Sequence, residues 1–354
     1  MDHAERKDTA QHALVYVGVA VAVVIILVLL WYAIDVVLLA FIGVLLAILL
    51  RAPADWLVQR FGWREGWALA LVGAVLLVVL VGGGALFGRG IALQGLALVD
   101  RIPEIVEGFK AELGKSELGS RVLALAESSG LFSGGDGQQF IGRGLGLIGS
   151  TFGAIANVLI VLFFAAFMAA QPQIYVKGAL YLVPRRHRRR GREVLHEIGQ
   201  VLKRWLVGQS LLAACVGVLT FAGLLLVKAP FPLALAILAG LMEFVPYIGP
   251  FLAAVPAIIV AFAEGPQVAL WVGLVFLAVQ MIESYVLAPL VQHRAVHLPP
   301  AAILFAQVLM GAIVGALGVA VATPLAAAVM VAVSMLYVED ALGDPSASPD
   351  HKSR

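Results

Sequence analysis

Between Trp205 and Tyr337 the acidic residues are Glu243, Glu264 and Glu283 and the basic ones are Lys228 and Arg294, in a stretch that is otherwise almost wholly apolar. A charged side chain at bilayer depth costs at least about 2.5 kcal/mol, so intramembrane carboxyls ordinarily mark an ion or proton path. Glu283 has Gln280 one turn earlier on the same helix face. Glu243 stands just before Pro246, which lacks an N–H and frees a backbone carbonyl. For both carboxyls two readings stand: a proton or cation site, or a neutral, hydrogen-bonded Glu that locks helices together. Glu264 precedes Gly265-Pro266 and reads as an interfacial loop residue. Pro246, Gly249 and Pro250 would shape a site through the backbone. Tyr247 is either an interfacial anchor, the favoured reading, or a hydroxyl donor to substrate.

The elements that must position these groups follow from composition. Of 354 residues, 62% are hydrophobic and 13% charged, with a mean hydropathy of +0.99. A soluble domain is about 45–50% apolar and about 25% charged, so an ordinary soluble enzyme is excluded and a polytopic membrane protein is indicated. The lone Cys215 excludes an internal disulfide and any cysteine-built zinc or iron–sulfur centre.

Crossing about 30 Å of hydrocarbon takes roughly 20 apolar residues. Spans are expected at Leu14–Ile34, Val36–Leu50, Trp67–Phe87, Leu145–Ala170 and Trp205–Val227, with Asp35 in a turn between the first two. The first apolar run is too long for a cleavable signal and reads as a retained anchor. Residues 171–204 carry Lys177, Arg185, Arg186, Arg188, Arg189, Arg190, Arg192, Lys203 and Arg204 against Glu193 and Glu197. Basic loops stay cytoplasmic, which puts this segment, the Arg51–Arg64 loop and both termini inside. Val194, Leu195, Ile198, Val201 and Leu202 recur at helical spacing within the basic segment, as in a helix lying against anionic lipid. Residues 88–144 mix both charge signs with a stripe of Ile102, Ile105, Val106, Phe109 and Leu113, as in amphipathic helices of a small extracytoplasmic insertion.

The organisation is therefore a tail at 1–13, three spans within 14–87, the insertion at 88–144, a fourth span at 145–170, the basic segment at 171–204, a core at 205–338 and a tail at 339–354. Within the core, Phe231–Ala263 is interrupted by Pro246, Gly249, Pro250 and Pro256, and Ala301–Tyr337 by Gly311, Gly315, Gly318 and Pro324. A span at Val268–Val291 and a basic loop with His293, Arg294 and His297 separate them. Paired, interrupted apolar segments point to a transport site between broken helices, and a re-entrant hairpin suits the first better than two full spans. Gly311 and Gly315 fit a close helix contact through small residues.

Other motifs fail on context. Gly144-x-Gly146-x-x-Gly149 follows no strand and lies in a span, which speaks against a nucleotide site. His293 and His297 have no third ligand nearby. No P-loop motif occurs. No cofactor, metal or nucleic-acid partner is expected.

The sequence EFVPYIGPFLAAVP from Glu243 to Pro256, QMIESYVLAP from Gln280 to Pro289, VHLPP from Val296 to Pro300, the G-x-x-x-G-x-x-G run from Gly311 to Gly318 and Ala322-Thr323-Pro324 together resemble the autoinducer-2 exporter (AI-2E) family of bacterial permeases. Ser284 and His293 depart from the usual family pattern. The resemblance implies an all-α polytopic inner-membrane transporter of about eight apolar segments, two of them re-entrant or broken hairpins, that assembles as a homo-oligomer. It also implies a substrate that is a small metabolite or signal, such as autoinducer-2, or a cation exchanged for protons. The residues expected to bind substrate or ion are Glu243, Pro246, Tyr247, Gly249, Pro250, Gln280 and Glu283. Two other classes stay open: an intramembrane enzyme, with Ser284 beside Glu283 as its nearest candidate pair, and a membrane scaffold without transport.

Overall fold

The computed structural model describes residues 34–78, 151–292 and 299–344. The first expected span up to residue 33, the whole insertion at 88–144, the Gly144–Gly149 motif and the loop holding His293, Arg294 and His297 lie outside them. Every regular element among the described residues is a helix, as an apolar chain that must satisfy its own backbone in lipid requires.

The helices are α1 (Ile34–Phe61), α2 (Glu65–Val78), α3 (Thr151–Ala170), α4 (Pro172–Tyr181), α5 (Arg188–Leu226), α6 (Pro232–Met242), α7 (Ile248–Ala263), α8 (Pro266–Ile282), α9 (Ala288–Gln292), α10 (Pro300–Val314) and α11 (Ala316–Val333). Proline opens α4, α6, α8 and α10, where a missing N–H does no harm and the fixed φ already suits a helix. Among the described residues four stretches are long and apolar enough to cross a membrane, Val36–Phe61, Arg185–Leu226, Pro266–Val291 and Ala316–Glu339, and the bent pair Ile160–Ala170 and Pro172–Tyr181 would make a fifth if it forms one span. The protein is an all-α polytopic membrane protein.

Asp35, expected in a turn, is helical within α1, and α1 runs on past the expected end at Leu50 to Phe61. Where α3 meets α4 the chain turns by 89°. The basic segment from Arg188 onward and the span after it are one helix of 39 residues, α5, around which α1, α4, α6, α8, α9 and α11 pack. The expected amphipathic stripe is present, and much of its face packs on protein: Val194 and Val201 are buried with Ala327, Val331 and Met335 of α11 and its continuation, while Leu195 stays exposed.

The interrupted segments break less often than their prolines suggest. Phe231–Ala263 folds as α6 and α7 around a single turn at 243–247; Pro250 sits in the first turn of α7 and Pro256 inside it without ending it. At 11 and 16 residues, or about 16 and 24 Å, neither arm crosses 30 Å of hydrocarbon, which is the geometry of a re-entrant hairpin. The second segment breaks only at Gly315, whose φ of +77° marks the turn between α10 and α11. Its arms are unequal. Helix α10 has 15 residues, whereas the stretch Ala316–Glu339 has 24 and can span. Gly311 lies against Val319, as close packing requires, but the partner contact belongs to Gly318 and not to Gly315: a Cβ on Gly318 would collide with the Met310 carbonyl. Pro324 is buried inside α11 and does not interrupt it.

Three ion pairs place the charged ends on one face of the bundle. Lys203 Nζ lies 2.8 Å from Asp55 Oδ2, Arg51 pairs with Glu65 at 3.2 Å, and Arg190 reaches Glu339 at 2.7 Å.

Candidate functional site

Helix α6 runs back along α5. Leu235 packs near Leu224, Gly240 approaches the Ala213 carbonyl, and at the end of α6 the Gln209 side-chain amide donates to the Glu243 carbonyl oxygen. Small residues at 213, 217 and 240 let the two backbones close up. The antiparallel register carries Glu243 to the level of Gln209, five residues or about 7.5 Å beyond Arg204 along α5. The site thus lies toward the basic end of the bundle.

Glu243 is 2% exposed, and its Oε2 has no hydrogen-bond partner. Its carboxyl lies within hydrogen-bonding reach of that of Glu283, at the end of α8. Gln280 Nε2 donates to Glu283 Oε2 at 3.2 Å and lies 3.4 Å from Ser284 Oγ. Helix α8 widens into a π-turn over Glu283–Leu287, in which the Ala288 N–H donates to the Glu283 carbonyl. Pro289 accounts for it, since it has no N–H for the carbonyl four residues back and its ring crowds that position. Such π-turns recur at functional sites.

Glu243, Gln280 and Glu283 are therefore brought together from two elements. The remaining expected residues form the turn that presents Glu243. Gly249 is buried, and a Cβ there would fall on the Met242 carbonyl oxygen, so only glycine lets the α7 start fold back onto the α6 end. Tyr247 holds a φ of +66° and is 45% exposed. Pro250 supports the first turn of α7. Glu264 is exposed at the opposite end of α7, remote from the pair.

Sequence reasoning does not single out Gln307 or Gln209. Gln307 is fully buried in α10 and its Nε2 donates to the Pro246 carbonyl at 2.8 Å, joining the second hairpin to the tip of the first. A signal for it exists in the sequence: a carboxamide inside an apolar helix needs a buried partner, just as Glu243 does.

Two carboxyls in contact inside a low-dielectric bundle repel when both are ionised. A proton shared between them, or a cation beside them, removes that repulsion, so the arrangement suits reversible uptake of one positive charge. Ser284 is held near Gln280, whose amide lies 3.4 Å from its Oγ. No group of three or more His, Cys, Asp or Glu side chains gathers as a metal site among the described residues.

A buried carboxyl, Glu243, and a half-buried one, Glu283, thus meet between broken apolar helices, an arrangement in keeping with the membrane transport class. The model of the AI-2E family of transporters matches residues 20–337, and the chain belongs to that family. It is similar to YhhT of Escherichia coli K12, 24% identical over 341 residues covering 92% of this chain and 91% of that protein. It is also similar to YueF and YrrI of Bacillus subtilis, 30% and 28% identical over 186 and 193 residues. Those matches cover 51% and 52% of this chain and span about half the length of each relative, 50% and 55%. All three are named, by inference, as transport proteins.

Proposed function

We propose that this chain is a secondary transporter in which the Glu243–Glu283 pair takes up and releases a proton or a small cation to drive movement of a solute or of the cation itself. The observation that carries the reading is Glu243, 2% exposed with one carboxyl oxygen unpartnered and its neighbour another carboxyl. A carboxyl kept only as a structural lock would have its oxygens satisfied by donors, because an orphaned buried polar atom costs about 1–3 kcal/mol. The substrate is a small metabolite or signal of the kind for which the family is named, or a cation exchanged for protons. The protein sits in the bacterial inner membrane with both termini cytoplasmic, which the ion pairs gathering the basic segments on one face support. It works as a homo-oligomer: α8 and the π-turn after it leave Leu270, Leu274, Leu277, Met281 and Tyr285 exposed, a face available to lipid or to a second copy. Purified protein in liposomes, screened across small solutes under imposed proton and cation gradients, tests the reading. Flux that ignores both gradients and both carboxyls would remove it.

A further inference from the structure

Three buried side-chain oxygens without a partner lie on the two hairpins: Glu243 Oε2, Gln307 Oε1 and Thr323 Oγ1. Their carriers are 2%, 0% and 2% exposed. The register of the second hairpin aligns two of them. Gly311 lies against Val319; Gln307 is one turn before Gly311, and Thr323 one turn after Val319, on the same faces. Thr323 therefore stands opposite Gln307 across the α10–α11 interface. Gln307 in turn is fixed to the tip of the first hairpin through the Pro246 carbonyl, three residues on from Glu243.

Three such atoms on two hairpins joined by the Gln307–Pro246 hydrogen bond are uncommon, since buried polar groups are nearly always paired. Two of them, the carboxylate and the amide oxygen, only accept, and the third, a hydroxyl, accepts while turning its hydrogen away. The complementary ligand is a positive charge. The depth at which these atoms are buried requires that it arrive stripped of its hydration shell, which suits a small monovalent ion with hard oxygen ligands.

We propose that Gln307 and Thr323 complete the carboxyl site from the second hairpin, adding an amide and a hydroxyl oxygen to the Glu243 carboxylate around a small dehydrated cation. The inference rests on the carboxyl-pair reading and extends it to two residues outside that pair. It also gives the junction of the hairpins a role in release. The site exists only while the Gln307–Pro246 bond holds the hairpins together, so their separation frees the ion.

Thr323→Val makes the test clean. Its hydroxyl bonds nothing in the protein, so replacing it with a methyl of similar shape leaves the fold intact. The melting temperature of the purified, detergent-solubilised protein is measured in choline chloride and, at equal ionic strength, in sodium, lithium or ammonium chloride. At least one small cation is expected to raise the melting temperature of the wild type above the choline value. Thr323→Val is expected to melt no lower than wild type in choline, yet to need about tenfold or more of that cation for the same rise, the loss of one oxygen ligand to a charge. Thr323→Ser restores the response, and Gln307→Leu loses it. No cation-dependent rise in the wild type overturns the proposal, as does an undiminished rise in Thr323→Val. A rise lost in Glu283→Gln but kept in Thr323→Val and Gln307→Leu leaves the carboxyl reading standing and removes only the part assigned to the second hairpin.

Discussion

The Arg190 guanidinium lies 2.7 Å from Glu339 Oε2, across 149 residues of sequence, and also donates to the Met335 carbonyl at 2.9 Å and to Asp340 at 3.0 Å. One side chain at the start of α5 thereby fastens the π-turn that ends α11. Arg190→Ala should lower stability by about 1–2 kcal/mol, the value of charged hydrogen bonds discounted for partial exposure. Thermal unfolding of the purified protein measures it. Arg189→Ala, at an exposed partner of Glu193, should change the melting temperature little. Equal effects of the two changes would mean that Arg190 contributes charge and not a fastening.

The same cluster predicts an acid limb. Hydrogen bonds from Arg189 and Arg190 hold the Glu193 carboxyl below its ordinary value of 4.5. A carboxyl lowered in the folded state contributes stability that is present above its unfolded value and is lost as pH falls through the folded value. Glu193→Gln should lower the melting temperature slightly near neutrality and meet the wild-type value in acid, so that its decline below about pH 4.5 is shallower; an identical acid decline in wild type and variant would discard the assignment.

Gly249 is the second test of backbone geometry. Because a Cβ there meets the Met242 carbonyl, Gly249→Ala must push α7 away from α6 and carry Glu243 out of position. Flux should fall by more than about tenfold even if the protein still assembles. Gly66, with nothing within 4 Å of an added Cβ, is the control; Gly66→Ala lies in a helix and should be neutral or stabilise by up to about 1 kcal/mol. Retained flux in Gly249→Ala would show that the turn has freedom the geometry denies it.

Much of this architecture is legible in residue types. The end of α3 at Ala170, the cationic start of the long helix and the broken hairpin after Phe231 follow from apolar run length, charge and proline. Proline alone overstates the breaks: Pro256 and Pro324 both stay inside helices, and Pro324 is fully buried there, a tertiary circumstance that spacing does not reveal. For the same reason the stripe from Val194 to Leu202 reads as a lipid-facing surface in the sequence, since its partner, α11, begins more than a hundred residues later. Glu243 and Glu283 stand out as charges in hydrocarbon. Gln307 carries no charge, and only the docking of one hairpin on the other makes it the link between them.

Sidedness is testable with the one native thiol removed. In a Cys215→Ser background, His187→Cys should react with an impermeant thiol reagent only from the cytoplasm. His187 is exposed in the short turn before α5, at the basic end where Arg190 and Lys203 tie down the other charged segments. Leu125→Cys should react only from outside. Labelling of Leu125→Cys from the cytoplasm would invert or break the proposed topology.

The decisive comparison is among the three carboxyls of the core. Glu→Gln keeps the size and a hydrogen-bonding oxygen but abolishes the change of charge. If the pair exchanges a proton or cation, Glu243→Gln and Glu283→Gln should each assemble normally and lose gradient-driven flux by at least about tenfold, since an essential charge-carrying group acts in every cycle. Glu283→Gln should be the milder for stability, because Gln280 already donates to that site and the new amide meets a partly exposed surface. Glu243→Gln should stabilise the folded protein at alkaline pH, where both wild-type carboxyls are ionised, because an amide beside the Glu283 carboxylate replaces a repulsion with a hydrogen bond. Glu264→Gln, exposed at the far end of α7, should transport as wild type. Stability and flux moving in opposite directions at Glu243 is the outcome that separates a working carboxyl from a structural one: a lock that is improved should not stop the machine. If both pair variants keep wild-type flux and its pH dependence, the carboxyls are structural and the proline-broken backbone at Pro246 is the remaining candidate for the site.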